Sequence, residues 1–235
     1  MFKRFLIITL LTLTKVSCNS DIGIQTSTVT KTPETEFIKT FGGSKNESGR
    51  SITQTTDGGY AVLGFTQSVD GDINTTQNTV QYDFWLLKFD ANDNLQWQKT
   101  YGGTKDEKAY KIIETNDRGF AIAGHSKSSD NDVDSNQGFE DVWILKLTQN
   151  GTIQWKTNTG FSGSDKSFAI IQTNDNGFFV GSILDVTASG GLGNAKSSAK
   201  HAGGDYWAVK IDASGAIQWS KYYGGSLSDT PFDAI

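Results

Sequence analysis

Little in these 235 residues suits metal or disulfide chemistry. A single Cys excludes an intrachain disulfide, and two His with one Cys cannot build a His/Cys zinc cage. Basic charge is scarce: 21 Lys and Arg stand against 26 Asp and Glu, for a net charge of -5 and no basic run. Such a chain is a poor fit to the polyanionic backbone of nucleic acid. No apolar run approaches the roughly 20 residues that span a bilayer as a helix. Neither a Gly-x-Ser-x-Gly elbow nor a His-Glu-x-x-His pair occurs. Pro is limited to two residues, whereas Gly reaches 26. A Pro-poor, Gly-rich chain with abundant Asn and Asp suits many short strands joined by tight turns.

The start of the chain has the layout of an export signal. Met1-Phe2-Lys3-Arg4 is basic, the apolar run FLIITLLTLT (5–14) follows, and Lys15-Val16-Ser17-Cys18 ends it. The Cys stands where the signal ends, and this resembles a bacterial lipoprotein signal, in which the Cys becomes the lipidated N-terminus. Residues 1–18 are therefore expected to be a lipoprotein-like signal peptide with Cys18 as the lipidation site. Lys15 departs from the apolar residue preferred three before that Cys, and ordinary cleavage near Ser17 or Cys18 would give a secreted protein. Residues 19–35, Ser/Thr-rich with one Pro, read as a flexible linker.

From residue 36 onward the chain repeats. The six Trp fall at 85 and 97, 143 and 155, 207 and 219, each pair 12 apart, and the pairs recur after 58 and 64 residues. The first Trp of each pair lies in DFWLLKF (83–89), DVWILKL (141–147) or DYWAVKI (205–211); the second lies in LQW, IQW or IQW. Two further markers keep the same order: TTDGGY (55–60), TNDRGF (115–120) and TNDNGF (173–178), and FGGS (41–44), YGGT (101–104) and YGGS (223–226). A period near 60 residues signals stacked units of a solenoid, propeller or array.

Each unit holds four short apolar runs, in the second unit AYKIIET (109–115), FAIAG (120–124), DVWILKL (141–147) and TIQWKTN (152–158). Each has the length and content of a strand. The turn between the first two is Thr-x-Asp-x-Gly-aromatic, where Asp bonds its own backbone and Gly is expected at positive φ. Trp85, Leu87 and Phe89 share one face of their strand and Phe84, Leu86 and Lys88 the other, so both faces are expected to be covered. A four-stranded antiparallel sheet covered on both faces and repeated every 58–64 residues is a propeller blade. The expected fold is all-β: an antiparallel β-propeller over 36–235, opening on a closing strand at 36–41, continuing through three full blades and starting a fourth. Two strands of that fourth blade are missing, so the ring is expected to be incomplete and the chain a fragment.

The YGG…D, T-x-D-x-G-[YF], D-x-W-x-x-K and IQW series resembles the β-propeller repeats of secreted and surface lipoproteins of Gram-negative bacteria, across residues 36–235. A weaker similarity is to quinoprotein-type and outer-membrane-assembly propellers, whose blades end in a Gly-x-x-x-Trp-like strand, here Gly151 to Trp155 and Gly215 to Trp219. The first unit is read with Asn94 in place of that Gly. The resemblance implies a fold and an exported location, and is silent about the ligand.

What repeats is expected to be structural. Trp85, Trp143 and Trp207, with Trp97, Trp155 and Trp219, are read as packing between blades, and Asp57, Asp117 and Asp175 as turn residues. Lys88, Lys146 and Lys210 are read as stems packed on Trp with their charges paired to carboxylates, in preference to anion ligands around a channel. What varies is the loop between the second and third strands, where marker to marker counts 23, 21 and 27 residues. Strand parity puts these loops on one face and the tight turns on the other, and binding residues concentrate on variable loops. The loop Asp130-Asn131-Asp132-Val133-Asp134 resembles the start of a calcium loop, with oxygens at every second residue. A solvated acidic loop is the alternative; Ser135 stands at the position where an EF-hand loop has Gly, and Asp141 where it has Glu. His125 and His201 are placed in loops, without a catalytic assignment.

The reading that follows is a non-enzymatic, exported binding scaffold that recognises a protein or glycan at the bacterial cell surface through its variable face. It would be an outer-membrane lipoprotein or secreted, with no cofactor beyond possible calcium, no nucleic-acid partner, and membrane contact only through a lipid anchor. A polysaccharide-acting or quinone-dependent propeller enzyme, or an envelope assembly scaffold, are the alternatives. A fold shared by many activities does not choose among them.

Overall fold

The computed structural model describes residues 38–74, 81–185, 204–224 and 229–233; the signal, Cys18, the linker and His201 lie outside these. Among the described residues there are twelve strands and no helix. The first sheet is β1 (Glu47–Gln54), β2 (Tyr60–Thr66), β3 (Asp83–Phe89) and β4 (Leu95–Tyr101). The second is β5 (Glu107–Glu114), β6 (Phe120–Ser126), β7 (Asp141–Leu147) and β8 (Ile153–Thr159). The third is β9 (Lys166–Gln172), β10 (Phe178–Asp185), β11 (Gly204–Ile211) and β12 (Ile217–Tyr223). Each sheet is four-stranded, antiparallel and ordered as in the chain.

The sheets meet through their first strands: β5 packs on β1 and β2, and β9 packs on β5 and β6. They fan out from β1, β5 and β9, with β4, β8 and β12 outermost. This fits a β-propeller-like fold, without a closed ring among the described residues. Alternation builds the junctions. Phe84 and Leu86 of the first sheet meet Trp143, Leu145 and Leu147 of the second, and Trp143 lies 4.6 Å from Phe84, ring to ring. The other face of the second sheet, with Ala121, Ala123, Val142 and Ile144, receives Trp207, Val209 and Ile211 of the third. A middle strand is thus apolar on both faces because it has a neighbouring sheet on each side.

The outer Trp residues pin the junctions from the tight-turn side. Trp97 lies against Gly151, Tyr101 donates its hydroxyl proton to the Gly151 carbonyl at 2.7 Å, and Trp155 Nε1 donates to the Ala213 carbonyl at 3.0 Å. In each first turn the Asp accepts from a backbone N–H two residues on, Gly59 to Asp57 at 3.0 Å, Gly119 to Asp117 at 3.1 Å and Gly177 to Asp175 at 3.0 Å. It also accepts from the strand-three Lys: Lys88 to Asp57 at 2.9 Å, Lys146 to Asp117 at 2.8 Å and Lys210 to Asp175 at 2.9 Å. Each ammonium reaches a carbonyl at its own strand end as well, Phe89, Leu147 or Ile211. A hydrogen bond from Thr55, then the bond from Lys88, holds the Asp57 carboxyl down to about 2.

Three expectations are corrected here. The residue at positive φ in the first turn precedes the repeated Gly: Gly58 (84°), Arg118 (63°) and Asn176 (62°). The position of Gly151 and Gly215 in the second turn is held in the first sheet by Asp93 (62°), not Asn94, because four residues separate it from Trp97. Described residues 38–43 form no strand: the first sheet has its own outer strand, and Phe41 instead packs edge-on to Phe89 at 5.3 Å. Residues 229–233 likewise form no strand, although Asp229 N–H bonds the Gly204 carbonyl at 2.6 Å, as Glu107 bonds Tyr82 and Asp165 bonds Glu140.

Candidate functional site

The long-loop face carries the features that depart from the repeat. The three acids proposed for calcium are held apart by separate partners. Asp130 accepts from Thr104 N–H at 2.8 Å, Asp132 accepts from Gly102 N–H at 3.2 Å, and Asp134 pairs with Lys156 at 2.7 Å. The first sheet does the same with Asp70 on Ser44 (2.8 Å) and Asp72 on Gly42 (2.9 Å). The Asp-x-Asp pattern therefore caps the backbone of the Gly-Gly link between sheets. Among the described residues no group of three or more His, Cys, Asp or Glu is placed to hold a metal ion.

The acid five residues after the first Gly of each link is a second staple. Glu107 accepts from Gly103 N–H at 2.7 Å and from the Ser126 hydroxyl at 2.6 Å. Asp165 accepts from Phe161 N–H at 2.6 Å and Asp185 N–H at 2.8 Å. Asp165 faces Asp141 across Gly160: a Cβ there would lie 2.4 Å from Asp141 Oδ1 and 2.8 Å from Asp165 Oδ2. Both carboxylates are fully buried, and Asp141 Oδ1 has no hydrogen-bond partner. Burial pushes Asp165 up to about 6, with the charges of Asp141 and Asp185 adding to it, and burial raises Asp141 as well. A folded pKa above the unfolded 3.8 gives stability that is complete below 3.8 and lost as pH rises through about 6. Asp141→Asn removes one charge and offers an N–H toward Asp165. Its urea midpoint is expected above the parent at pH 7, with the gain closing as pH falls toward 4; a lower midpoint at both ends would refute the pairing.

The feature that does not repeat lies at the inner end of this face. One bulge interrupts the pairing of each first strand with its neighbour, at Arg50 in β1, Tyr110 in β5 and Phe168 in β9. A bulge re-aims its side chain out of the ladder. These three meet: the Arg50 guanidinium is 5.6 Å from the Tyr110 ring centre, and the Tyr110 and Phe168 rings are 4.8 Å apart. Gly124 stands beside the Tyr110 bulge because a Cβ there would lie 2.3 Å from the Lys108 carbonyl.

Next to them, one pair of positions changes chemistry between sheets. In the first sheet it is Phe65 with Tyr82, edge to face at 5.2 Å. In the second it is His125 with Glu140, Nε2 to Oε1 at 3.6 Å, both buried. His125 is thus a strand residue in β6, not a loop residue, because the strand runs two residues past the apolar run that marks it. Around Glu140 stand Lys166 (2.8 Å) and Lys127 (3.5 Å), and the Ser164 hydroxyl donates to it at 2.8 Å. Lys127 Nζ also lies 4.6 Å from the ring of Phe139, which is 63% exposed. Burial lowers the His125 imidazole, Glu140 opposes, and Lys166, Lys108 and Lys127 lower it further, so His125 is neutral at pH 7. Burial works against the Glu140 charge, yet the hydrogen bond from Lys166 and its neighbours hold the carboxyl down to about 2.

Two depressions on the opposite, tight-turn face hold about 630 and 530 Å³. One is walled by Trp97, Gln96, Lys88 and Asp57, the other by Trp155, Gln154, Lys146 and Asp117. They are the same groove twice, made of residues that hold the turns, and belong to the scaffold. The His125–Glu140 rim has no such duplicate in the first sheet. Its signal in the sequence is the aligned trio Phe65, His125 and Ile183, legible once the strands are in register.

No family model matches the chain, and no curated protein matches it. A solved structure of a protein of unknown function from Bacteroides caccae is similar, with a TM-score of 0.41 and 13% identity, over 83% of this chain and 53% of that one. The chain spans about half the length of that structure.

Proposed function

We propose that this chain is a non-enzymatic, exported β-propeller binding scaffold of the bacterial cell surface, of the lipoprotein kind its repeat resembles, that recognises a protein or glycan through its long-loop face. The observation that carries this is the rim. The fold closes the same position with Phe65 and Tyr82 in the first sheet, so the buried imidazole of His125 and the carboxylate of Glu140 in the second are not required for packing. Side chains that depart from the repeat, on a face of variable loops above a rigid scaffold, suit recognition. The alternative of a polysaccharide-acting or quinone-dependent enzyme has His125–Glu140 as its support. Glycoside hydrolysis draws on a pair of carboxyl groups, one of them raised so that it can act as the acid. Glu140 is instead held down to about 2 by Lys166 and its neighbours, which favours binding over turnover.

The test replaces the rim with its own repeat counterpart, His125→Phe with Glu140→Tyr. Labelled full chain is titrated onto intact Gram-negative cells, with and without periodate treatment to separate glycan from protein receptors. The double variant is expected to lose most saturable binding. Equal binding by parent and variant would place recognition elsewhere, and absence of saturable binding by the parent would contradict a surface role.

A further inference from the structure

Four cationic side chains, Arg50, Lys108, Lys127 and Lys166, crowd the rim of a chain whose net charge is -5. Lys127 and Lys166 are neutralised by Asp106 and Glu140. Arg50 and Lys108 make no ion pair among the described residues. Both instead stand over aromatic rings: the Arg50 guanidinium is 5.0 Å from the centre of Phe65, and Lys108 Nζ is 4.6 Å from the centre of Tyr82 and 5.7 Å from Phe65. A cation over a ring face keeps its charge and most of its donors, since a ring accepts little from N–H groups. Beside these two lie the rings of Tyr110 and Phe168, both half-buried. Elsewhere in the chain the repeated lysines are spent on carboxylates and carbonyls, as Lys88, Lys146 and Lys210 are.

Building on the rim as the recognition site, we infer that it takes a carboxylate-bearing saccharide, a uronate unit of an acidic polysaccharide. The C–H face of the sugar ring lies on Tyr110 and Phe168, while its carboxylate draws charge-assisted bonds from Arg50 and Lys108. A planar guanidinium matches a carboxylate in two parallel bonds, and the ammonium adds a point charge. The Tyr110 and Phe168 rings, tilted at 52° to each other, offer a pyranose an apolar surface beside the two cations. An acidic peptide is a poorer match. A peptide that adds as a strand binds through backbone groups along a free strand edge. The backbone N–H groups just past the end of β6 at this rim, those of Lys127 and Ser128, are instead taken by the Glu107 carboxylate and the Ser126 hydroxyl.

The test titrates the full chain with tetragalacturonate, with the uncharged galactose tetramer, and with hexaglutamate, at low and high salt. Tetragalacturonate is expected to bind, about tenfold or more tighter than the uncharged tetramer, with affinity falling as salt rises. Arg50→Ala and Lys108→Ala are each expected to weaken it by about tenfold. Both side chains leave the core untouched, so both variants keep the parent melting temperature, and Arg50→Lys recovers part of the loss. Equal affinity for the uncharged tetramer, sensitive to Tyr110→Ala, would overturn the charge requirement and leave the rim as the site. Equal affinity for hexaglutamate would overturn the saccharide class. Tetragalacturonate binding that ignores Arg50→Ala, Lys108→Ala and the His125→Phe/Glu140→Tyr replacement alike would overturn this inference and the rim together.

Discussion

Gly119→Ala is expected to destabilise the protein by about 3 kcal/mol, the range of an overpacked core site with no route to relax. Gly119 closes the first turn of the second sheet. A Cβ there would lie 2.1 Å from the Leu147 carbonyl and 2.7 Å from Lys146 Nζ. The carbonyl is backbone and accepts from that same ammonium at 3.0 Å, so the turn, the end of β7 and the Lys146–Asp117 pair all have to move. Gly59 and Gly177 stand in the same place, 2.1 Å from Phe89 and 2.4 Å from Ile211 carbonyls. The neighbouring Arg118 is the contrast. It sits at φ 63°, where a side chain costs and glycine does not. Arg118→Gly is expected to raise the midpoint slightly or leave it unchanged, by about 1 kcal/mol at most. Urea titration of the two variants separates a requirement for space from a requirement for φ; a mild Gly119→Ala would refute the first.

Trp143→Ala is expected to cost about 3–5 kcal/mol, the range for a large aromatic removed from a core. Its side chain is fully buried between the first and second sheets, with the Phe84 ring tilted against it at 4.6 Å and Leu145 and Leu147 along its strand. The hole falls at a junction, so it separates two sheets as well as loosening one. Trp143→Phe is the control. Trp143 Nε1 is buried without a hydrogen-bond partner, whereas Trp85 Nε1 donates to Gln98 at 2.8 Å. Removing an unpaired donor offsets part of the lost area, and Trp143→Phe is expected to cost less than half as much as Trp143→Ala. Equal costs would mean that the indole N–H is paired in solution and that the junction is held by more than packing.

Much of the fold is legible because its signals are local. DVWILKL at 141–147 is β7 residue for residue, and the runs at 109–115, 120–124 and 152–158 fall within two residues of β5, β6 and β8 at each end. Alternation fixes the faces, and Asp and Gly punctuate the turns. The described part of the expected closing strand, residues 38–41, forms no strand for a non-local reason: a strand needs a partner edge, and the blade it was expected to complete has no described strand. The acids at 130–134 invite calcium when their loop is read alone. Set beside DGDI at 70–73, DNDV at 130–133 becomes a repeated cap on the link. The rim is the least legible part. Arg50, Tyr110 and Phe168 share one position, three residues after the link acid, but differ in chemistry, and no local pattern marks a bulge. His125 reads as a loop residue because the end of β6 is polar.

The central claim is that the second sheet carries His125 and Glu140 for recognition and not for stability. The urea midpoint of the His125→Phe/Glu140→Tyr variant at pH 7 and pH 5 tests it most directly. Replacing a buried polar pair, here a neutral imidazole and a carboxylate, with well-packed rings is neutral or stabilising when the pair is not needed for the fold. The variant also loses a buried imidazole whose lowered pKa makes the parent lose stability as pH falls below 6.5. The predicted result is a midpoint equal to the parent or higher at pH 7, and a larger advantage at pH 5. A midpoint lower by about 2 kcal/mol or more at both pH values would show that the pair holds the sheet together, and the rim would then be part of the scaffold.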